Sequence, residues 1–253
     1  MVPMQLLRQG GLFAVIKPKC VTSANVVDQL KPIIFGSDNR AGLRPRPKVR
    51  VKIGHGGTLD KNASGVLVIG LGQGTKSLKQ MLQGKKKYSV IGCLGSGTDT
   101  MDAGGKVTEA APYDHIKQED IEKVLQLFRG SILQVPPVYS ALKVGGKRMS
   151  DLVMEGHDVE PKPARPVMVY HLSCTAFDSP YFHLDVTCGG GFYVRSLVSD
   201  VGKAVGSCAH VKELCRTQQG PFTLNQALKE CDWTFDNITK ALIDPRKLVE
   251  EIR

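Results

Sequence analysis

The chain has 253 residues, of which 42% are hydrophobic and 23% are charged, a composition that is typical of a globular protein and excludes a disordered chain. Its formal net charge of +10 favours a polyanionic partner, with nucleic acid first among the candidates. The longest apolar run, around residues 66–71, is too short to cross a bilayer, so we expect no membrane contact.

Apolar periodicity, capping residues and glycine or proline breaks predict the elements in chain order. The first half gives a strand at 11–17, a helix at 24–30 capped by Thr22 or Ser23, a polar loop at 32–50, strands near 52–53 and 65–69, a helix at 75–82 and a strand at 87–94. The second half gives a helix at 118–128, strands at 138–144 and 148, strands at 167–177 and 181–187, a helix at 193–204, a strand at 210–216 and a helix at 234–243.

This order of elements predicts an α+β fold. Strands outnumber helices, and most connections are too short for repeated βαβ crossovers. We therefore expect a mixed, mostly antiparallel central sheet with flanking helices. No internal repeat and no break in composition marks a second domain, so residues 1–253 are predicted to form a single domain.

Positive charge is concentrated in two segments. Between residues 31 and 52 a single acid, Asp38, stands among Lys31, Arg40, Arg44, Arg46, Lys48, Arg50 and Lys52. The second segment is Lys85, Lys86 and Lys87, directly before Tyr88. Both segments favour contact with phosphates, and a solvated positive face is the alternative. An aromatic content of 6% argues against a stacking platform for single strands.

The spacing of glycines and cysteines disfavours two other kinds of site. Residues 66–77 have G-x-G-x-G spacing and their lysine follows Thr75, so neither nucleotide-binding signature is complete. Cys208, His210 and Cys215 lack a fourth ligand at zinc-finger spacing. We expect no metal and no cofactor. Seven cysteines without a C-x-x-C pair indicate reduced thiols.

A glycine-rich loop carries one carboxylate. Residues 54–60 read GHGGTLD, so three glycines surround His55, and Asp60 follows. Glycine removes side-chain bulk and permits positive φ, which allows the backbone to approach a ligand closely. On the residues alone, a tight turn with a capping aspartate and a functional loop are equally well supported.

This loop resembles the catalytic motif of the TruB family of tRNA pseudouridine-55 synthases, and other motifs of that family follow in order. They correspond to Lys17-Pro18 with Thr22-Ser23, Lys87-Tyr88, residues 97–102 (GTDTMD), 136–143 (PPVYSALK), 191–196 (GFYVRS) and 214–217 (LCRT). Cys20 stands where the family usually has glycine. The resemblance covers about residues 11–224, with 32–50 as a basic insertion and 225–253 as a short extension.

The resemblance implies the pseudouridine synthase fold and an isomerase that converts uridine to pseudouridine at position 55 of the T-loop of tRNA. T-loop-like stem-loops of mRNA are further candidate substrates. The reaction breaks the C1′–N1 bond and forms a C1′–C5 bond, so it requires no redox cofactor, metal or nucleotide. The essential acid is Asp60, which meets oxocarbenium-like charge at C1′ as carboxylates do in glycoside hydrolysis. Covalent trapping of C1′ and removal of the 2′ proton stay open as alternatives.

Other site residues follow from matching positions. Arg195 is the arginine that pairs with Asp60 and keeps its carboxylate ionised, and Tyr88 is the tyrosine that stacks on the target base. The substrate-binding positions are His55, Tyr193, Leu214 and Lys17. Contacts to the RNA backbone are a hypothesis for Arg44, Arg46, Lys48, Arg50, Lys85, Lys86 and Lys87.

The resemblance is to the stand-alone eukaryotic homologues, because residues 225–253 are too few for the RNA-binding PUA domain of bacterial members. We expect a monomer that binds the T-stem-loop of tRNA without guide RNA, in the nucleus or cytosol, with the mitochondrion as the alternative. Two rival classes are an RNA-binding protein that lost catalysis and a glycosidase that releases uracil. The presence of Asp60, Tyr88 and Arg195 argues against an RNA-binding protein without catalysis. The absence of a second carboxylate argues against a glycosidase.

Overall fold

The structure is a computed structural model that describes residues 7, 9–36 and 51–248. The chain divides into two compact units, the first made of residues 1–85 and 216–253 and the second of residues 86–215. The prediction of one domain over the whole chain stays a prediction. Most of the predicted basic loop, with Arg44, Arg46, Lys48 and Arg50, lies outside the described residues.

The described strands and helices are as follows. The strands are β1 (Gly10–Lys17), β2 (Ile53–His55), β3 (Ser64–Gly72), β4 (Lys86–Leu94), β5 (Ser96–Thr98), β6 (Val107–Ala110), β7 (Gly130–Gln134), β8 (Lys143–Val144), β9 (Lys147–Arg148), β10 (Arg165–Asp178), β11 (Tyr181–Cys188), β12 (Ala209–Gln219) and β13 (Phe222–Thr223). The α-helices are α1 (Ser23–Phe35), α2 (Leu78–Gln83), α3 (Gln118–Leu125), α4 (Met149–Met154), α5 (Val194–Ala204) and α6 (Phe235–Ala241). Short 3₁₀ turns lie at Gln73–Ser77, Gln126–Phe128, Leu224–Gln226, Glu230–Asp232 and Pro245–Leu248.

The sheet of the first unit is buried on both faces. β1 and β3 pair antiparallel along their whole length, and β2 pairs antiparallel with the end of β3. Because successive side chains of a strand point to opposite faces, Leu67 and Ile69 pack with α1 in one cluster, whereas Val66 and Val68 pack in another with Met81. Burial on both faces explains why β3 reads as a continuous apolar run.

Helix α1 begins as predicted and ends later than predicted. The Thr22 hydroxyl oxygen accepts a hydrogen bond from the backbone N–H of Asn25 at 3.1 Å, so Thr22 is the N-cap. The helix continues through Pro32 to Phe35, whereas the sequence predicted its end near residue 30. Leu30 and Ile34 are both buried on the same face, and this packing outweighs the hydrogen bond that proline removes.

The second unit contains an antiparallel sheet with helices against it. Its strands run β4, β11, β10 and β7, with β-bulges between β10 and β11. Helix α3 packs on β10 and buries Ile121 and Leu125, which lie four residues apart and therefore on one face of the helix. Two small hairpins, β5 with β6 and β8 with β9, complete the unit.

The predicted fold class is confirmed, with corrections in detail. The α+β fold has a mixed, mostly antiparallel central sheet. The pairs β1–β3, β2–β3, β4–β11, β10–β11 and β7–β10 are antiparallel, and Val15 forms a parallel bridge with Leu228. The strand predicted over 138–144 is reduced to the two residues of β8. Strand β7 was missed because its five residues are mostly exposed and show no apolar alternation, and pairing with β10 defines it. Among the described residues, no helix has the length and apolarity needed to cross a membrane.

Candidate active site

The loop that carries Asp60 leaves the sheet at Gly56. The backbone N–H of Gly56 donates to the Val68 carbonyl at 2.8 Å, one rung beyond the last paired residue of β2. A Cβ atom on Gly56 would lie 2.6 Å from the Cβ atom of Met81, closer than two carbon atoms can approach without displacement. Glycine therefore permits a close approach of the backbone to the Met81 side chain within the first unit, and the close approach to a ligand stays a prediction.

Asp60 is held through the main chain of its neighbours. The Ser23 hydroxyl accepts from the Leu59 N–H at 2.9 Å and donates to the Leu59 carbonyl at 3.1 Å. On the other side, the Lys17 ammonium donates to the Lys61 carbonyl at 3.2 Å, and the Ala63 N–H closes a turn on the Asp60 carbonyl at 3.1 Å. Anchors on both flanking residues restrict the backbone of a half-buried carboxylate.

Lys17 is a fully buried cation in the first unit. Its ammonium also donates to the carbonyls of Pro18 and Val21, each at 2.7 Å. Burial lowers the pKa of Lys17 to about 8; the Asp60 carboxylate opposes that effect, and the Arg216 guanidinium adds to it. All three ammonium protons thus have main-chain acceptors, so the structure gives Lys17 a part in supporting the Asp60 loop, and its role in binding substrate stays a prediction.

Two buried polar residues near the end of β12 also hold this loop. Arg216 donates from Nε to the Val66 carbonyl at 2.7 Å and from Nη2 to the Gly57 carbonyl at 3.2 Å. Gln219 contacts the main chain of the same region. Neither was singled out as a site residue, although Arg216 lies in the LCRT motif; Gln219 gave no sequence signal. His55 is the last residue of β2, and its contact with RNA stays a prediction.

In the second unit, three of the motifs converge on Arg195. This residue lies in the first turn of α5 and is only 5% exposed. Its two terminal nitrogens donate separately, Nη1 to the Thr100 carbonyl and Nη2 to the Tyr139 carbonyl, each at 2.8 Å. Thr100 belongs to GTDTMD and Tyr139 to PPVYSALK, so these motifs orient the guanidinium through their backbones.

The other residues predicted to meet the base also lie in the second unit. The Gln134 side chain accepts from the Tyr193 N–H at 2.8 Å and donates to its carbonyl at 2.9 Å. The Arg165 guanidinium lies 5.3 Å from the centroid of the Tyr193 ring, within the range of a cation–π contact. Tyr88 on β4 and Leu214 on β12 are both buried. Their roles toward the base stay predictions.

The lysine run before Tyr88 alternates in exposure. Lys85 and Lys87 are exposed, whereas Lys86 is 6% exposed because successive residues of β4 face opposite sides of the sheet. The hypothesis of phosphate contact therefore suits Lys85 and Lys87 better than Lys86. The corresponding hypothesis for Arg44, Arg46, Lys48 and Arg50 falls on residues outside the described ranges.

The predicted catalytic residues are distributed over the two units. The acid, Asp60, belongs to the first unit, and the guanidinium of Arg195 and the Tyr88 ring belong to the second. The pairing of Asp60 with Arg195 stays a prediction. Across residues 7, 9–36 and 51–248, no group of three or more His, Cys, Asp or Glu side chains is arranged to hold a metal ion. His210, one of the three residues weighed as zinc ligands, instead has its Nδ1 atom 2.9 Å from the Ser96 carbonyl oxygen.

Two family models match the chain in succession. The model described as "TruB family pseudouridylate synthase (N terminal domain)" matches residues 44–194. The model described as "tRNA pseudouridylate synthase B C-terminal domain" matches residues 195–252.

Individual proteins extend this similarity. The chain is 56% identical over 244 residues to pseudouridylate synthase TRUB1 of Homo sapiens, covering 94% of this chain and 69% of that protein. It is 36% identical over 238 residues to tRNA pseudouridine synthase B of Caldanaerobacter subterraneus subsp. tengcongensis, covering 93% of this chain and 76% of that protein.

Solved structures confirm the predicted pseudouridine synthase fold. A chain of a Cbf5-Nop10-Gar1 complex superposes with a TM-score of 0.69 at 26% identity, over 98% of this chain and 64% of that chain. A chain of an archaeal box H/ACA sRNP Nop10-Cbf5 complex gives a TM-score of 0.65 at 25% identity, over 98% and 64% of the two chains. This chain therefore spans less than two thirds of the length of either structure.

Proposed function

Because this chain belongs to the TruB family of pseudouridylate synthases, we propose that it is a tRNA pseudouridine synthase. It isomerises uridine to pseudouridine at position 55, in the T-loop. The observation that carries this proposal is the anchored GHGGTLD loop, in which the residues on both sides of Asp60 are fixed by Ser23 and Lys17. A carboxylate held in this way suits a reaction in which positive charge develops at one sugar carbon.

The chemistry needs one acid, one cation and a base-binding surface. Departure of uracil from C1′ leaves oxocarbenium-like charge, which the Asp60 carboxylate stabilises. Arg195 keeps that carboxylate ionised and oriented, as expected of a guanidinium held rigidly by two backbone carbonyls. Tyr88 and Tyr193 hold the detached uracil so that C5 replaces N1 at C1′. The proton that C5 carried is then lost to solvent, and N1 takes up a proton, so the reaction is an isomerisation. Because the base must return to the sugar, exclusion of water matters more than a second acid.

The substrate is a folded tRNA, in which the target uridine is stacked within the loop. Extruding it costs a few kcal/mol, and contacts to the pocket and the RNA backbone offset that cost. Exposed lysines such as Lys85 and Lys87, with the basic residues between 31 and 52, supply the phosphate contacts. Stem-loops of mRNA that mimic the T-loop are further substrates of the same site.

Three finer points belong to the same proposal. The protein acts as a monomer. It also acts without guide RNA, since its identity to TRUB1 is 56% and to the Cbf5-complex chain 26%. It works in the nucleus or the cytosol, with the mitochondrion as the alternative; fluorescence microscopy of the tagged protein distinguishes these compartments. Size-exclusion chromatography with light scattering tests the monomer.

The decisive experiment measures tritium release from tRNA labelled at C5 of uridine, with purified protein and no other RNA. We expect release by the wild type, loss of release with Asp60→Asn, and wild-type release with Asp28→Asn, which alters an exposed carboxylate in the same unit. Equal release from wild type and Asp60→Asn refutes the role of Asp60. Binding of tRNA without release by the wild type indicates an RNA-binding protein, and free uracil indicates a glycosidase.

A further inference from the structure

The side-chain amide of Gln219 is buried among backbone groups of the first unit. Gln219 ends β12, and none of its surface is exposed. Its Oε1 atom accepts from the Val68 N–H at 3.1 Å. Its Nε2 atom donates to the Gly56 carbonyl at 2.8 Å and to the Met81 carbonyl at 3.4 Å. Both N–H bonds and the carbonyl of this amide are therefore used on main-chain partners.

The amide replaces one hydrogen bond of the β2–β3 ladder. The register pairs Gly54 with Gly70, so Gly56 and Val68 are the partners two residues further along. In an antiparallel ladder, two residues that face each other in a hydrogen-bonded pair exchange two N–H···O bonds. The Gly56 N–H donates to the Val68 carbonyl, but the return bond from Val68 to Gly56 runs through the Gln219 amide. One side chain thus spreads the two strands at that rung.

This rung is where the Asp60 loop begins. Beyond it the chain leaves β3, with Gly56 against Met81 and the Gly57 carbonyl bonded to Arg216. The far side of the loop is fixed independently, by Ser23 at Leu59. The direction in which the loop departs is therefore set by a group that the sequence motif does not contain.

We propose that Gln219 is a positioning residue for Asp60. Its amide sets the angle at which residues 56–60 leave the sheet, and so places the carboxylate relative to the target ribose. The inference rests on the proposed function, since it concerns the reaction of Asp60. A displacement of about 1 Å in a reacting group can lower a rate on the order of 100-fold. Loss of the Gln219 amide therefore has a kinetic effect even in a folded protein.

The test compares two substitutions at 219 with a matched control next to it. Gln219→Met keeps the approximate volume and removes both hydrogen-bonding functions. Gln219→Glu keeps the acceptor for Val68 and, when its carboxylate is ionised, has no donor for Gly56. Gln218→Met is the control, because the Gln218 side chain is partly exposed and donates to the Gly220 carbonyl, outside the Asp60 loop. Single-turnover tritium release from tRNA is measured at saturating enzyme, well below the melting temperature of each variant.

Two further readouts separate positioning from general stabilisation. The tRNA dissociation constant is measured by filter binding, and amide hydrogen exchange is compared between residues 56–60 and strand β1. We expect both Gln219 variants to lower the single-turnover rate about 10- to 100-fold. We expect their dissociation constants and those of Gln218→Met to stay near the wild-type value, and exchange in Gln219→Met to accelerate at 56–60 ahead of β1.

Several outcomes overturn the inference. A wild-type rate in both Gln219 variants shows that the amide does not place the acid. The rate loss could match the fraction of unfolded protein, or hydrogen exchange could accelerate equally in β1 and in residues 56–60. Either result shows that the Gln219 amide stabilises the first unit without positioning Asp60. If the wild type itself releases no tritium, the proposed function fails, and that result is distinct from an active wild type with unaffected variants.

Discussion

Replacing Lys17 by methionine tests whether a buried ammonium is linked to folding of the first unit. The pKa of Lys17 falls from its ordinary value of 10.5 to about 8 in the folded protein, mainly because of burial. Between these two values the unfolded chain binds a proton that the folded chain has lost. The free energy of unfolding of the wild type therefore rises with pH across that window, and this contribution is absent from Lys17→Met.

The magnitude follows from the two pKa values. Their gap of about 2.5, at 1.36 kcal/mol for each pH unit, corresponds to about 3 kcal/mol. Because Lys17 has no exposed surface, solvent screening does not reduce this free energy. We expect the wild type to gain about 3 kcal/mol of stability relative to Lys17→Met between pH 7 and pH 10.5. Groups that titrate in both proteins cancel in this difference.

The assay is urea unfolding followed by tryptophan fluorescence. The sequence has one tryptophan, Trp233, which is buried in the core of the first unit and therefore reports on that unit. Lys79→Met removes an exposed lysine from the same unit and should keep the wild-type dependence on pH. Parallel pH curves for the wild type and Lys17→Met would refute the reasoning, because they would show that burial of Lys17 is not linked to its protonation.

Three other perturbations address the rest of the site. Arg195→Lys leaves one of two partly buried carbonyls without its donor, so we expect a loss of about 1 kcal/mol by calorimetry; an unchanged melting temperature contradicts this. Ser23→Ala removes both bonds to Leu59, and we expect lower stability together with slower tritium release, whereas a fully active variant shows that the anchor is dispensable. Replacing Lys85 and Lys87 by glutamine should make tRNA binding less dependent on salt. The slope of the logarithm of the binding constant against the logarithm of the salt concentration should fall by about one for each phosphate that a lysine no longer neutralises. An identical slope excludes phosphate binding by these lysines.

Local sequence patterns predicted much of the fold. Alternation in β10 and β11, periodicity in α3 and the Thr22 cap depend on residues close together in the chain, and each was predicted correctly. The errors arose where tertiary packing overrides local preference. Helix α1 continues through Pro32 because Ile34 is buried, and β7 is a short strand that pairing with β10 defines.

Sequence motifs predicted the catalytic residues of the candidate site, but not the residues that hold them in position. Asp60 could be chosen because it follows three glycines in a motif that resembles that of a family. Gln219 could not, because its role depends on how β12 meets β3, and the residues concerned are 151 positions apart. The burial of Lys17 likewise follows from packing that a strand-ending lysine does not reveal in sequence.

The hydrogen bond between Gln219 and Gly56 joins residues 163 positions apart, which has a consequence for biosynthesis. A ribosome that has delivered the GHGGTLD segment must still translate most of those 163 residues before the amide can reach that backbone. During that interval the nascent chain already exposes lysines and arginines that attract RNA, while the acid is not yet held in its final direction. Competence for isomerisation therefore emerges only after Gln219 has been synthesised, whatever transcripts the growing polypeptide has met before.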